Sequence, residues 1–419
     1  MAKEKIITGI DVGSTKISTT VAAVSDNKVS VIGVSGNVVS KGIKKGNVID
    51  IDAAVEAISS SLERAERMAG VSVSSAFVSI NGSHIETLNS HGVVAVSPTQ
   101  SSEISQEDVV RVIEAAQAVS LPSTREVIHV IPRDFIVDSQ EGIKDPIGMS
   151  GVRLEVETNI IHGSSTAMKN LIKCVSQVGV GVEDLVYTGI AAAEAVLTDT
   201  EKELGTLLVD IGGGTTSMIA FIDGSPVHSA VLPIGGKLIT SDLAIGLRTR
   251  LEDAEKIKLK LSNEASMFKS GDVTGRKNDD FDLSEFGVET DTVSRSLLYK
   301  IVDSRLEEIF RLIALELSKV NLSGKLPAGV VVTGGGASTS GVERVAKMTL
   351  KLPVRIGTPR GITGLIDEIQ GPTSSVSVGT VLYGVNTMRT GRMLSFDSGR
   401  GNMNKAFTKI FDRIKSFLP

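Results

Sequence analysis

Asp210-Ile211-Gly212-Gly213-Gly214-Thr215-Thr216 sets a carboxylate, a run of glycines and two hydroxyls side by side. Glycine carries no Cβ, so successive backbone N–H groups can close on an anion there. Thr215 and Thr216 add hydroxyl donors, and Asp210 can orient a metal-bound water. The flanks are apolar, Leu207 to Val209 before and Met218 to Phe221 after. The pattern therefore reads as strand, turn, strand: a hairpin that wraps a nucleotide phosphate. Standing alone, the same residues would read as a plain glycine turn.

A like pattern lies near the start, where Asp11 is followed by Gly13, Ser14, Thr15 and Lys16 between two apolar runs. Asp11-Val12-Gly13 mirrors Asp210-Ile211-Gly212. Two like hairpins far apart in the chain point to two like lobes facing each other across a cleft. A third glycine turn, Gly334-Gly335-Gly336, follows the apolar run Val330 to Val332 and precedes an amphipathic helix from Val342 to Leu350. Such a turn gives the backbone access to a flat base or a ribose. Gly236 belongs to Pro233-Ile234-Gly235-Gly236, which leads into a helix over Leu238–Leu247. Glu255, Lys258 and Ser262 are spaced to share one face of the helix that Ala254 begins.

Composition bounds the alternatives. A chain of 419 residues exceeds one hydrophobic core and suits two lobes. Net charge is −5 and aromatic content 3%, without Trp, which leaves neither a basic field nor a stacking platform for nucleic acid. The single cysteine, Cys174, excludes an internal disulfide; among Leu171, Ile172 and Val175 it reads as buried filler. The histidines show no metal spacing. No run of about 20 apolar residues is present, and the N-terminus passes straight into a strand without a signal peptide's apolar block. A cytoplasmic protein is expected.

These residues need elements to hold them. Ile6–Asp11, Ile17–Val24 and Val29–Val38 read as a meander, Asp52–Ala69 as an amphipathic helix with Ala54, Ile58, Leu62 and Ala65 inward, and Phe77–Ile80 as a strand before an Asn81-Gly82 turn. Residues 83–158 read as an insert: strands Gly92–Val96, Glu126–Pro132, Phe135–Val137 and Arg153–Thr158 around a helix from Gln106 to Val119, capped by Ser105 with acidic Glu107 and Asp108. No cluster of acids, bases or nucleophiles falls in it, which favours an interaction surface. Helices follow at Ser165–Val178 and at Gly189–Leu197, whose alanines permit close packing. The long helix Val293–Val320 repeats Leu297, Ile301, Ile309, Ile313 and Leu317 at helical spacing, with Arg295, Lys300 and Arg305 as a basic first half. Val376–Tyr383 is the final helix of the folded region.

Residues 388–403 are rich in Gly, Ser, Arg and Asn and read as a linker. An amphipathic helix follows from Lys405 to Leu418. Phe407, Ile410, Phe411, Ile414, Phe417 and Leu418 share its apolar face; Lys405, Lys409, Arg413 and Lys415 flank it. Exposed aromatics with basic flanks point to an anionic lipid surface, with docking onto the chain's own domain as the alternative.

Three such turns in this order resemble the actin, Hsp70 and MreB-like superfamily, which includes sugar kinases. His228 to Gly236, Glu126 to Pro132, Gln140 to Gly151 and Val354 to Gly357, with Asp210 to Thr216, narrow the match. Over about residues 6–386 the chain resembles the FtsA family of bacterial cell-division proteins. The resemblance implies an α/β, actin-like two-lobed ATPase fold with an inserted α+β subdomain in the first lobe. The expected divisions are first-lobe core 1–82 and 159–204, insert 83–158, second-lobe core 205–240 and 305–357, outer second-lobe subdomain 241–304, closing region 358–387, linker 388–403 and membrane helix 404–419.

The resemblance further implies ATP with Mg²⁺ between the lobes. Asp11 and Asp210 would hold the metal through water; Gly13, Ser14, Thr15, Lys16 and Gly212 to Thr216 the phosphates; Gly334 to Gly336 with Gly236, Glu255, Lys258 and Ser262 the adenosine. For Glu255 and Lys258 a surface ion pair is the alternative. In the superfamily an acidic or amide residue often starts the helix that joins the lobes, and Thr188 falls at that place here. Glu194 and Asp210 are the weak catalytic candidates, Glu194 also reading as a solvated helix charge, so at most slow ATPase activity is expected. Implied partners are the C-terminal peptide of FtsZ near Arg295, Lys300 and Arg305 (otherwise a solvated basic face), a second copy in a filament, anionic lipid at the cytoplasmic face of the division septum, and later division proteins on the insert. The alternatives are a pilus-assembly relative and a sugar-kinase or polyphosphatase enzyme. An Hsp70-like chaperone lacks room for its peptide-binding domain after residue 386.

Overall fold

The computed structural model describes residues 4–25, 28–96, 103–267, 279–286, 288 and 290–389. Strand Lys5–Val12 pairs antiparallel with Lys16–Ser25, which pairs antiparallel with Lys28–Val34. On its other edge Lys5–Val12 takes Ser75–Ile80 in parallel, and Gly181–Tyr187 lies parallel beyond that. The second sheet repeats the plan. Thr206–Ile211 pairs antiparallel with Thr216–Ile222, then Ser225–Leu232; on the other edge come Val330–Thr333 and Val354–Ile356, both parallel. Two antiparallel steps one way and two parallel steps the other make the cores topologically alike, as the paired hairpin motifs predict. The register is alike too: Asp11 stands opposite Ser18 and Asp210 opposite Ser217.

Helix Ile51–Ala69 packs on the first sheet through one apolar stripe, whereas Thr188–Val196 and Ser375–Arg389 are buried on nearly every side. In Ile51–Ala69 the buried residues Ala54, Ile58, Leu62 and Ala65 recur every three or four positions. Asp50 caps its start by accepting from the Ala53 N–H at 3.1 Å, and Gly70 ends it at φ 69°, a backbone state glycine adopts without strain. Helix Thr188–Val196 packs on the final helix Ser375–Arg389 so closely that a Cβ on Gly379 would strike the Ala191 carbonyl. Just before it, buried Tyr187 donates to the carbonyls of Met218, 3.1 Å, and Ala230, 3.2 Å. The last strand of one core is thereby tied to the hairpin of the other.

The insert is a separate four-stranded sheet, ordered Gln140–Ile143, Arg125–Val137, Arg153–Ser164, Glu86–Ala95, with helix Gln106–Gln117 on it and its own small core. Ser105 and Asp108 form a reciprocal capping box at that helix's start. The two strands expected at Glu126–Pro132 and Phe135–Val137 are one, Arg125–Val137. The register shifts where Thr158 faces Pro132, and an irregularity of this kind accommodates proline inside a strand.

Four further expectations change. The long helix runs Arg295–Lys319 and buries Leu298, Val302, Leu306, Ile309, Phe310, Ile313 and Leu317, leaving Leu297 46% exposed. Apolar residues sit next to each other at Leu297-Leu298 and Ile301-Val302, so the sequence offers two stripes and packing selects the second. Helix Leu251–Met267 starts before Ala254, and the final helix continues through Met388 and Arg389, which were expected in the linker. Boundaries drawn after residues 158, 240, 304 and 387 fall inside continuous elements: strand Arg153–Ser164 and helices Gly236–Leu247, Arg295–Lys319 and Ser375–Arg389.

Candidate functional site

Asp11 and Asp210 stand one residue before the end of their strands, at the base of the two hairpin turns, both buried. Ser79 donates to Asp11 Oδ1 at 2.9 Å. Burial lowers the Lys16 ammonium while the charges of Asp11 and Asp210 raise it, and its Nζ donates to the Thr373 carbonyl. Burial and the neighbouring Asp11 push the Asp210 carboxyl up to about 7, against the pull of Lys16; burial also raises Asp11. With both carboxylates ionised, the single lysine leaves an excess negative charge that a cation would offset.

The sign of this coupling is testable. Asp210 binds its proton more tightly folded than unfolded, so between the ordinary carboxylate range and about pH 7 folding takes up protons and stability falls as pH rises. Asp210→Asn, which cannot ionise, is expected to melt higher than the parent at pH 8 in metal-free buffer. The difference should shrink toward pH 4. Thermal unfolding across that range checks it, and a deficit at pH 8 would contradict it.

The turns themselves meet. A Cβ on Gly213 would fall on the Thr15 hydroxyl and lie 2.8 Å from Thr15 Cβ, and one on Gly214 would lie 3.0 Å from Ser14 Cβ. Helix Gly236–Leu247 abuts the second turn: the N–H groups of Gly236 and Lys237 donate to the carbonyls of Gly212 and Gly213, each at 2.9 Å. Lys237 Nζ then reaches across to the Ser14 carbonyl at 2.9 Å. The third turn folds over the same strand end. Gly334 sits at φ 83°, where a Cβ would strike Asp210 Oδ1, and Gly336 leaves room only for Ile211. Beside it, Ser262 accepts from the Ser340 N–H at 3.1 Å. Glu255 binds Lys258 at 2.6 Å and the Thr240 hydroxyl. The ion pair is real, and it lies on the helix face whose Ser262 touches the loop after the third turn.

Other candidates stand elsewhere. Glu194 is bonded to Lys202, 3.2 Å, and Asn386, 2.9 Å, so each oxygen has a protein partner and neither partner belongs to a hairpin. Thr188 is buried and bonded to Ser217 at 3.1 Å. The expected basic face is largely neutralised: Arg295 pairs with Glu264 at 2.8 Å, and Arg305 grips Asp242 at 2.7 and 2.8 Å. Lys300 is exposed. Phe407, Ile410, Phe411, Ile414, Phe417, Leu418, Lys405, Lys409, Arg413 and Lys415 lie outside the described residues. The sequence reading missed Lys237, Ser79, Thr373 and Asn81, which joins the second hairpin from the first lobe. Asn81 read only as part of a turn, none of the four had a local signal of a role in the site, and their contacts span from 68 to 357 positions.

Family models match residues 82–162, as the SHS2 domain inserted in FtsA, and residues 207–379, as cell division protein FtsA. Cell division protein FtsA of Pseudomonas aeruginosa is 36% identical over 422 residues, covering 99% of this chain and 97% of that protein. The chain belongs to the FtsA family. The Borreliella burgdorferi FtsA is 38% identical over 407 residues, 97% of each chain, and the Bacillus subtilis FtsA 37% over 402 residues, 94% of this chain and 87% of that one. Solved structures extend the likeness at the level of fold. A PilM–PilN type IV pilus biogenesis complex matches with TM-score 0.63 at 15% identity, covering 90% of this chain and 98% of that one. MreB5 of Spiroplasma citri bound to AMPPNP matches with TM-score 0.53 at 15% identity, covering 92% and 97%. The expected fold, actin-like with an insert, is the one observed, and as an FtsA-family member the chain is an actin-like cell-division protein. The pilus relative shares the architecture at far lower identity than the FtsA proteins.

Proposed function

We propose that this FtsA-family chain binds ATP with Mg²⁺ between its lobes, polymerises, and tethers FtsZ filaments to the cytoplasmic membrane. The observation that carries the reading is the pair of like hairpin turns meeting face to face, each with a buried aspartate at its base. Asp11 and Asp210 hold the metal through water, since Mg²⁺ takes oxygen ligands and keeps several waters. Lys16 and the hairpin glycines with Ser14, Thr15, Thr215 and Thr216 take the phosphates. Gly334 to Gly336, Gly236 and the Glu255–Lys258–Ser262 face frame the adenosine. The fold-level neighbours solved with ADP and with AMPPNP support a nucleotide in this place. Closure of the lobes on nucleotide would couple binding to filament contacts.

The remaining roles follow the family. The insert meets later division proteins. The FtsZ C-terminal peptide docks near the start of helix Arg295–Lys319, with Lys300 as its exposed cation. Residues 404–419 lie on anionic lipid at the division septum, as a peripheral anchor; among the described residues no helix is long and apolar enough to cross a membrane.

Turnover should be slow. Thr188 offers a hydroxyl rather than a carboxylate, and Glu194 is held by Lys202 and Asn386. The isolated protein is expected to bind a fluorescent ATP analogue saturably and to release phosphate far more slowly than the ordinary enzyme median of about 10 per second. Steady turnover of several per second would contradict the assignment, and phosphorylation of a sugar panel would favour the kinase alternative.

A further inference from the structure

Asn81 belongs to the first lobe, at the end of strand Ser75–Ile80, yet its side chain is bonded to two hydroxyls of the second hairpin. The Gly82 N–H donates to Asn81 Oδ1 at 2.8 Å, and a backbone N–H can only donate, so the oxygen end of the amide is fixed. Nδ2 therefore donates to Thr215 Oγ1 at 3.0 Å, and Ser217 Oγ donates to Oδ1 at 3.0 Å. A hydroxyl has one hydrogen. Ser217 has committed its own, so at 3.1 Å it accepts from Thr188. Thr215 has accepted from the amide, so its hydrogen turns away from Asn81. Thr215, Ser217 and Thr188 are all buried, and water competes little for these bonds.

We infer that Asn81 is a positioning residue of the nucleotide site: by fixing the amide's direction across the lobe boundary, it makes Thr215 a directed donor to phosphate oxygen and Thr188 a directed acceptor. This rests on the nucleotide reading above. It also gives the first lobe a direct hold on the phosphate turn of the second, which a hinge opening at this boundary would release.

A double-mutant cycle tests it, with equilibrium binding of a fluorescent ATP analogue to the full chain as the readout. Asn81→Ala and Thr215→Val are each expected to weaken binding about tenfold, the scale of a lost hydrogen bond to a charged group. The double variant should be no weaker than the weaker single. Thr215→Ser, which restores the hydroxyl, should restore dependence on Asn81. A purely structural Asn81 would act equally with and without the Thr215 hydroxyl, so additive effects in the cycle would overturn the inference. If Asn81→Ala does not fold by circular dichroism, Asn81→Ser, too short to bridge both hydroxyls, takes its place in the cycle. Saturable binding by the unmodified chain with additive variants overturns this inference alone; no saturable binding by the unmodified chain overturns the nucleotide reading with it.

Discussion

Gly213→Val is expected to abolish ATP binding, lowering affinity by more than about a hundredfold, a loss of roughly 3 kcal/mol. The side chain would not simply fill a phosphate position. Its Cβ is directed at Thr15 of the opposing turn, so the two hairpins must separate before any nucleotide arrives. Overpacking of this kind costs about 1–3 kcal/mol by itself, and misplaced backbone donors add to the loss. Gly334→Ala should act similarly, because it sets a Cβ both at φ 83° and against Asp210. Both changes sit at turns outside the main cores, so far-UV circular dichroism should stay near the parent's. Equilibrium binding of a fluorescent ATP analogue checks this, and unchanged affinity in both variants would remove the phosphate assignment.

Deleting residues 404–419, or changing Phe411→Glu, is expected to leave ATP binding intact and release the protein from anionic liposomes. Burying a Phe or Leu side chain fully is worth roughly 1.5–3 kcal/mol, and each Lys or Arg near anionic lipid adds about 1 kcal/mol. A helix over these residues would bury only one face, and a short segment must also order itself, which is unfavourable alone in water. One copy should therefore bind weakly and reversibly. A filament offers many copies to one surface, and avidity makes the attachment durable. High salt should weaken it. Sedimentation with liposomes reads the effect; a truncated protein that pellets as the full chain does would refute the anchor.

Much of the fold was legible because its signals are local. Asp followed by glycine and hydroxyls between apolar runs marks each hairpin, and the order of the motifs implies the two like lobes. Ser105, read as an N-cap with acidic residues after it, does cap helix Gln106–Gln117. What escaped depends on tertiary choice. Leu297 and Leu298 are equally apolar, and only packing decides which is buried. Arg295 and Arg305 read as free cations because Glu264 and Asp242 lie 31 and 63 positions away. The cross-links at the hairpin turns are longer still: Asn81 meets Thr215 over 134 positions, and Lys237 meets Ser14 over 223. Pairwise contacts of that span leave no periodic trace in one sequence.

The tether itself is most directly tested by co-sedimentation of FtsZ filaments with anionic liposomes, with and without this protein and ATP. The account predicts that FtsZ pellets with the vesicles only when the full chain is present, more strongly with ATP, and not with FtsZ lacking its C-terminal peptide or with the chain lacking residues 404–419. FtsZ that reaches the vesicles no more with the full chain and ATP than without them would contradict it.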